Sequence, residues 1–152
     1  MKKRLTVLVI SLVICIGYGS TALAQVKPEI LVKQRQAVMT LFGKYFGPIA
    51  GMADGKTPLS METVGRNAGY LETLSKMPWD GFVASTSGEK SRALPVVYSD
   101  PGKFKKASDD IQAAVLKLVA VSKGTDDAST KGAIGAVGKA CGSCHEVFRQ
   151  PS

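Results

Sequence analysis

A chain of 152 residues, 45% hydrophobic and 21% charged, has room for one domain with a real core and not comfortably for two. Its formal net charge is +8, yet basic and aromatic side chains do not interleave along it, which argues against nucleic acid as a partner.

Lys2, Lys3 and Arg4 precede an apolar run over residues 5–16, and Ala22-Leu23-Ala24 supplies an A-x-A cleavage site. Residues 1–24 therefore read as a cleaved export signal. The run is shorter than the roughly 20 apolar residues of a membrane span. Ile14 before Cys15 is too large for a lipoprotein site. Cleavage after Ala24 leaves one domain, residues 25–152, with Cys141 and Cys144 as its only cysteines. It also removes three cations and no acid, so 17 Lys and Arg face 12 Asp and Glu, a formal +5. That balance suits weak docking to an acidic partner.

Four amphipathic helices follow in chain order. In the first, Leu31, Val38, Phe42, Tyr45, Ile49 and Met52 recur at helical spacing, and Pro48 is expected to kink or divide it. A turn at residues 54–58 precedes the second, about residues 59–76, with Thr57 or Ser60 as cap and Val64, Ala68, Leu71 and Leu74 facing inward. Residues 79–99 are rich in Gly, Ser and Pro and show no period, so they read as a long connection, with Trp79 anchoring it to the bundle. Asp100-Pro101 opens the third helix, whose stripe is Phe104, Ala107, Ile111, Ala114, Leu118 and Val121. The fourth starts near Thr125 or Asp126 and runs to about Arg149 along a seam of Ile134, Val137, Cys141, Cys144 and Phe148. Four such helices joined by short connections and one long one predict an all-α, antiparallel four-helix bundle, whose core is a common place for a cofactor.

The stretch KACGSCHEVFR, residues 139–149, holds both mature cysteines and the chain's single histidine. A redox dithiol, a zinc site and a covalently attached haem all use such residues. At i, i+3 and i+4 of a helix, Cys141, Cys144 and His145 share one face. The C-x-x-C-H spacing lets two thiols join the two vinyl groups of one haem while the imidazole reaches its iron. A reactive dithiol belongs at a helix start beside a βαβ unit, whereas this pair lies near a helix end. A structural zinc ion needs a fourth ligand that neither Cys nor His can supply here. If the pair were merely small hydrophobes in the seam, or a strained disulfide, His145 would be left unexplained. Haem is therefore the expected cofactor, one per chain, and export agrees with it. Gly132, Gly135, Gly138 and Gly142 on the same helix suggest close approach by the macrocycle or a neighbouring helix; a merely loose helix is the plain alternative.

Seven residues follow His145 and none is Met, so a sixth iron ligand must come from upstream or be absent. Without a second histidine, bis-His ligation would need a partner's side chain.

These motifs resemble the class II c-type cytochromes, the cytochrome c-prime family, along essentially all of the mature chain. The resemblance rests on KQRQ at residues 33–36 with Met39, LSKMPWDGF at 74–82, YSDPGKFKK at 98–106 and VGKACGSCHEVFR at 137–149. It implies a left-handed bundle with haem near its C-terminal end, His145 as proximal iron ligand, and often a homodimer. It also implies that Met39 faces the open side of the iron, that Arg35 and Gln36 lie near the haem edge or propionates, and that Arg149 lies beside the proximal ligand. Tyr98 stands where many relatives carry Trp, and Phe148 where many carry Tyr. The expected function is periplasmic electron transfer through a five-coordinate haem able to bind NO or CO. The alternative is a six-coordinate, low-spin carrier with Met39 as ligand. With no distal histidine or other evident general acid, enzymatic turnover is not expected.

Overall fold

The structure is a computed structural model that describes residues 26–151; the expected export signal lies outside the described residues. Four long helices account for most of it: α1 (Pro28–Ala53), α2 (Met61–Leu74), α3 (Pro101–Val121) and α4 (Asp127–Phe148). α1 packs on α2 and α4, and α3 packs on the same two helices. Short turns join α1 to α2 and α3 to α4, a long connection joins α2 to α3, and the four close into the expected antiparallel bundle.

Local chemistry explains most of the helix ends. Pro28 sits in the first turn of α1, where a missing N–H costs nothing. At the other end Gly55 takes φ +74, the Lys56 N–H reaches Gly51 O and the Gly55 N–H reaches Met52 O. That paired return is a Schellman stop, for which glycine has the required freedom. Ser60, not Thr57, caps α2 by accepting the Thr63 N–H. Asp100 accepts the Lys103 N–H at the start of α3, and Asp126 accepts those of Ala128 and Ser129 at the start of α4. The hydroxyl of Ser129, and then its backbone N–H, hold the Asp126 carboxyl below its usual range.

Pro48 does not divide α1, which continues through it to Ala53. The proline is exposed, where a lost backbone donor costs least, and the adjoining Ile49 is fully buried and anchors the helix beyond it. Ile49, Val64, Leu71, Val115, Leu118 and Val137 form the centre of the core, all fully buried. Val115 shares the inner face of α3 beside the expected Ala114. Asn67, buried on α2, donates to Tyr45 O and ties α2 to α1.

Thr130 on α4 is fully buried, and its hydroxyl has no hydrogen-bond partner. Thr130→Val keeps the shape and removes the orphaned group, so it should stabilise the protein by about 1 kcal/mol, measured by denaturant unfolding.

The connection from α2 to α3 is long, as expected, but it is ordered. It contains 3-10 turns at Trp79–Gly81 and Ala84–Thr86 and a short helix, Val96–Ser99. Trp79 donates its indole N–H to Ser75 O at 2.6 Å and lies edge-on to Phe104, which makes it the anchor its position suggested. Further on, Ala93 pairs with Arg149 in an isolated antiparallel bridge. Among the α4 glycines, a Cβ on Gly138 would lie 3.3 Å from Phe46 Cζ of α1, so close helix approach explains that position; Gly132, Gly135 and Gly142 meet no neighbour.

Candidate haem site

α1 and α4 touch at Phe46 and Gly138, then part around a cavity of about 570 Å³ near the C-terminal end of α4. All seven side chains singled out in the sequence line it: Arg35, Gln36 and Met39 on the α1 side, Cys141, Cys144, His145 and Arg149 on the α4 side. Much of the remaining wall is aromatic: Phe42, Phe104 and Phe148 from the expected stripes, Trp79 from the connection, and Phe46 and Phe82, which sequence reasoning did not assign to the site. The DGF triplet after Trp79 was the available signal for Phe82. A smaller hollow of about 330 Å³ lies on the other side of Arg35, between α1 and residues 76–81, and contains none of the cysteine or histidine chemistry.

Cys141 and Cys144 are free thiols one turn apart, the second buried and the first partly so. Burial pushes the Cys141 thiol up, and burial followed by the neighbouring Cys141 pushes Cys144 up to about 11. Both are therefore protonated at neutral pH, the opposite of what an attacking dithiol needs. His145 stands at the cavity rim as an exposed residue whose ring is partly enclosed. Desolvation first, then the cations Arg149 and Arg92, lower its proton affinity. The imidazole is accordingly neutral and has a lone pair for a metal.

Arg35 is 3% exposed, neither at the solvent surface nor simply at a cavity edge. Its Nη1 donates to Gly81 O, Thr86 Oγ1 and Tyr98 OH, and its Nη2 donates to Ser91 Oγ. The guanidinium also lies 4.2 Å over the Phe82 ring. Gln36 and Met39 are exposed on α1, with Met39 at 36%. Arg149 sits just past α4 in extended backbone, so it belongs to the bridge with Ala93 and not to the helix.

These residues suit a flat, anionic, apolar-faced cofactor. The walls are aromatic, three arginines line the cavity, and no Asp or Glu does. Among the described residues, no three His, Cys, Asp or Glu side chains gather as a metal's ligand set, so the geometry fits haem and not a lone zinc ion.

A helical bundle with a C-x-x-C-H at the edge of a haem-sized apolar cavity is the architecture of a helical c-type cytochrome. Residues 31–149 match the family model described as Cytochrome C'. A cytochrome c′ of Rubrivivax gelatinosus is 40% identical over 125 residues, covering 82% of this chain and 97% of the relative. The crystal structure of a cytochrome c′ from that organism superposes with a TM-score of 0.78, covering 82% of this chain and 98% of the other. A cytochrome c prime from Alcaligenes xylosoxidans, solved as a ferrous variant with bound NO, is 32% identical with a TM-score of 0.77 and covers 84% of this chain and 98% of its own. The chain belongs to the cytochrome c′ family, whose cofactor is a covalently attached haem c.

Proposed function

We propose that this chain is an exported, periplasmic electron carrier whose haem is held from the α4 side and left open toward α1, where NO or CO can bind. When bound, the haem supplies a one-electron Fe(III)/Fe(II) couple. Cys141 and Cys144 tether it, and His145, the chain's only histidine, provides the axial nitrogen. The single observation that carries the reading is the asymmetry of the cavity. Its α4 side offers a neutral imidazole, while its α1 side offers Met39, Phe42 and Phe46 beside Arg35, Gln36 and Thr40, and no carboxylate or second imidazole. An iron held from one side, with neither a carboxylate nor an imidazole on the other, favours small neutral ligands. The NO-bound Alcaligenes relative supports the same chemistry here. Without a distal proton donor, the site is suited to electron transfer and ligand binding, not to peroxide cleavage.

Export is supported by the leader-like residues 1–24, and no helix among the described residues is long and apolar enough to cross a membrane. Arg149, exposed at the cavity rim, and the formal +5 of the mature chain favour an acidic redox partner. Ile30 and Leu41, eleven residues apart on α1, share a face and are exposed, as is Tyr70 on α2; they supply an apolar surface for a homodimer.

The absorption spectra of ferric and ferrous protein, with and without CO, test the open site. The expected result is a high-spin ferric spectrum, a ferrous spectrum altered by CO, and no change of spin state in Met39→Leu. A low-spin spectrum with a sulfur-to-iron charge-transfer band that Met39→Leu abolishes would instead establish Met39 as the sixth ligand.

A further inference from the structure

Residues 79–99 are fastened to α1 through Arg35 at points along most of their length, and to the end of α4 at residues 92–94. On the α1 side, Arg35 donates to Gly81 O at 2.9 Å, to Thr86 Oγ1 and Tyr98 OH at 3.2 Å each, and to Ser91 Oγ at 3.1 Å. All four acceptors lie within this one segment and none is a carboxylate. A buried cation satisfied only by neutral acceptors depends on their convergence, because losing them leaves a desolvated charge. The contact is also tight: a Cβ on Gly81 would stand 3.1 Å from Leu31 O and 3.4 Å from Arg35 Cβ. Only glycine lets this strand of chain lie so close to α1.

At the α4 end, the Leu94 N–H donates to Phe148 O at 2.9 Å and the Gln150 N–H to Arg92 O at 2.8 Å. Arg92 Nη2 adds a bond to Gln150 O at 2.7 Å. Next to Gly81, Phe82 packs on Phe104 at 4.8 Å, and Phe104 packs on Phe148 at 5.2 Å.

The two anchors sit beside the α1 and α4 sides of the cavity. Met39 follows Arg35 by one turn of α1, and His145 precedes Phe148 by three residues on α4. Direct contact between the helices at Phe46 and Gly138 lies farther along the bundle; at the cavity, α1 and α4 are separated by open space and joined through this segment. We propose that residues 79–99 are a strap that fixes the gap between Met39 and His145, with Arg35 as its positioning residue, and that this gap governs how fast a small ligand reaches the iron. The inference rests on the open-site reading above. With the strap docked, α1 holds Met39 over the open face; with it released, Met39 swings with the helix and shields less.

The test uses covalently loaded protein and three variants: Arg35→Met, Arg35→Lys and Gly81→Ala. Lysine keeps the charge but lacks the planar fork that reaches acceptors from two nitrogens. Gly81→Ala keeps the arginine and pushes the strap away from α1. All three should raise hydrogen exchange in residues 79–99 and speed CO association with the ferrous protein by roughly tenfold, a barrier change of about 1.4 kcal/mol. Rates within about twofold of the parent despite faster exchange in the strap would overturn the proposal. So would a change confined to Arg35→Met, which would assign the effect to charge alone. If Arg35→Met does not yield folded protein, the other two variants decide by the same criteria. A sulfur-ligated spectrum in the parent would refute the open-site reading before any variant is compared, so the two failures are read separately.

Discussion

Replacing both Cys141 and Cys144 by alanine should leave a chain whose haem extracts completely into acidified organic solvent, while the parent retains all of it. Both thiols line the cavity one helical turn apart, so each can reach one vinyl group of the same macrocycle. Either single variant keeps one thioether, and its pyridine haemochrome should shift to longer wavelength because one vinyl group stays conjugated. The double variant should also lose stability. Without a covalently fixed haem, the aromatic walls of this hollow of about 570 Å³ are left open to water. The haem is thus the missing part of the core as well as the redox group. Haem that resists extraction from the double variant would refute attachment through this motif.

Much of this site was legible because its chemistry is local. Cys141, Cys144 and His145 fall within five consecutive residues, and helical geometry alone puts them on one face. The caps at Asp100 and Asp126 were legible for the same reason: each acts on a backbone donor two or three residues away. Met39 and Gln36 came from family resemblance, and the structure places both on the cavity wall. What local pattern could not supply was the partner list of Arg35, whose acceptors lie 46 to 63 residues further along the chain. An arginine on an amphipathic helix ordinarily reads as solvated, because burial of its charge depends on contacts that periodicity does not encode. Residues 79–99 lack a sustained period because their only regular pieces are two 3-10 turns and the four-residue helix Val96–Ser99. Trp79 was legible as an anchor, but the rest of their order comes from Arg35 and the bridge to Arg149, long-range contacts that become visible only in the fold.

Truncating Phe148 to alanine should cost about 3–5 kcal/mol, the range for removing a large buried aromatic. The ring is 5% exposed and meets Phe104 edge-on at 5.2 Å. It belongs at once to the bundle core and to the cavity wall, and its own carbonyl receives the strap through the Leu94 N–H. Few neighbours can collapse into the space it leaves, because it stands between the haem cavity and the Phe104 ring. Leu116→Ala is the appropriate control: that side chain is 51% exposed, and its loss should change stability by no more than about 0.5 kcal/mol. Guanidinium unfolding of the haem-loaded protein, followed by far-UV circular dichroism and by haem absorbance, measures both. For Phe148→Ala the two signals should move together to lower denaturant, since the residue closes the turn that carries His145. A loss below about 1 kcal/mol would show that the bound macrocycle repacks against the gap. Loss of the haem signal well before the helical signal would show that Phe148 secures the proximal turn and not the bundle as a whole.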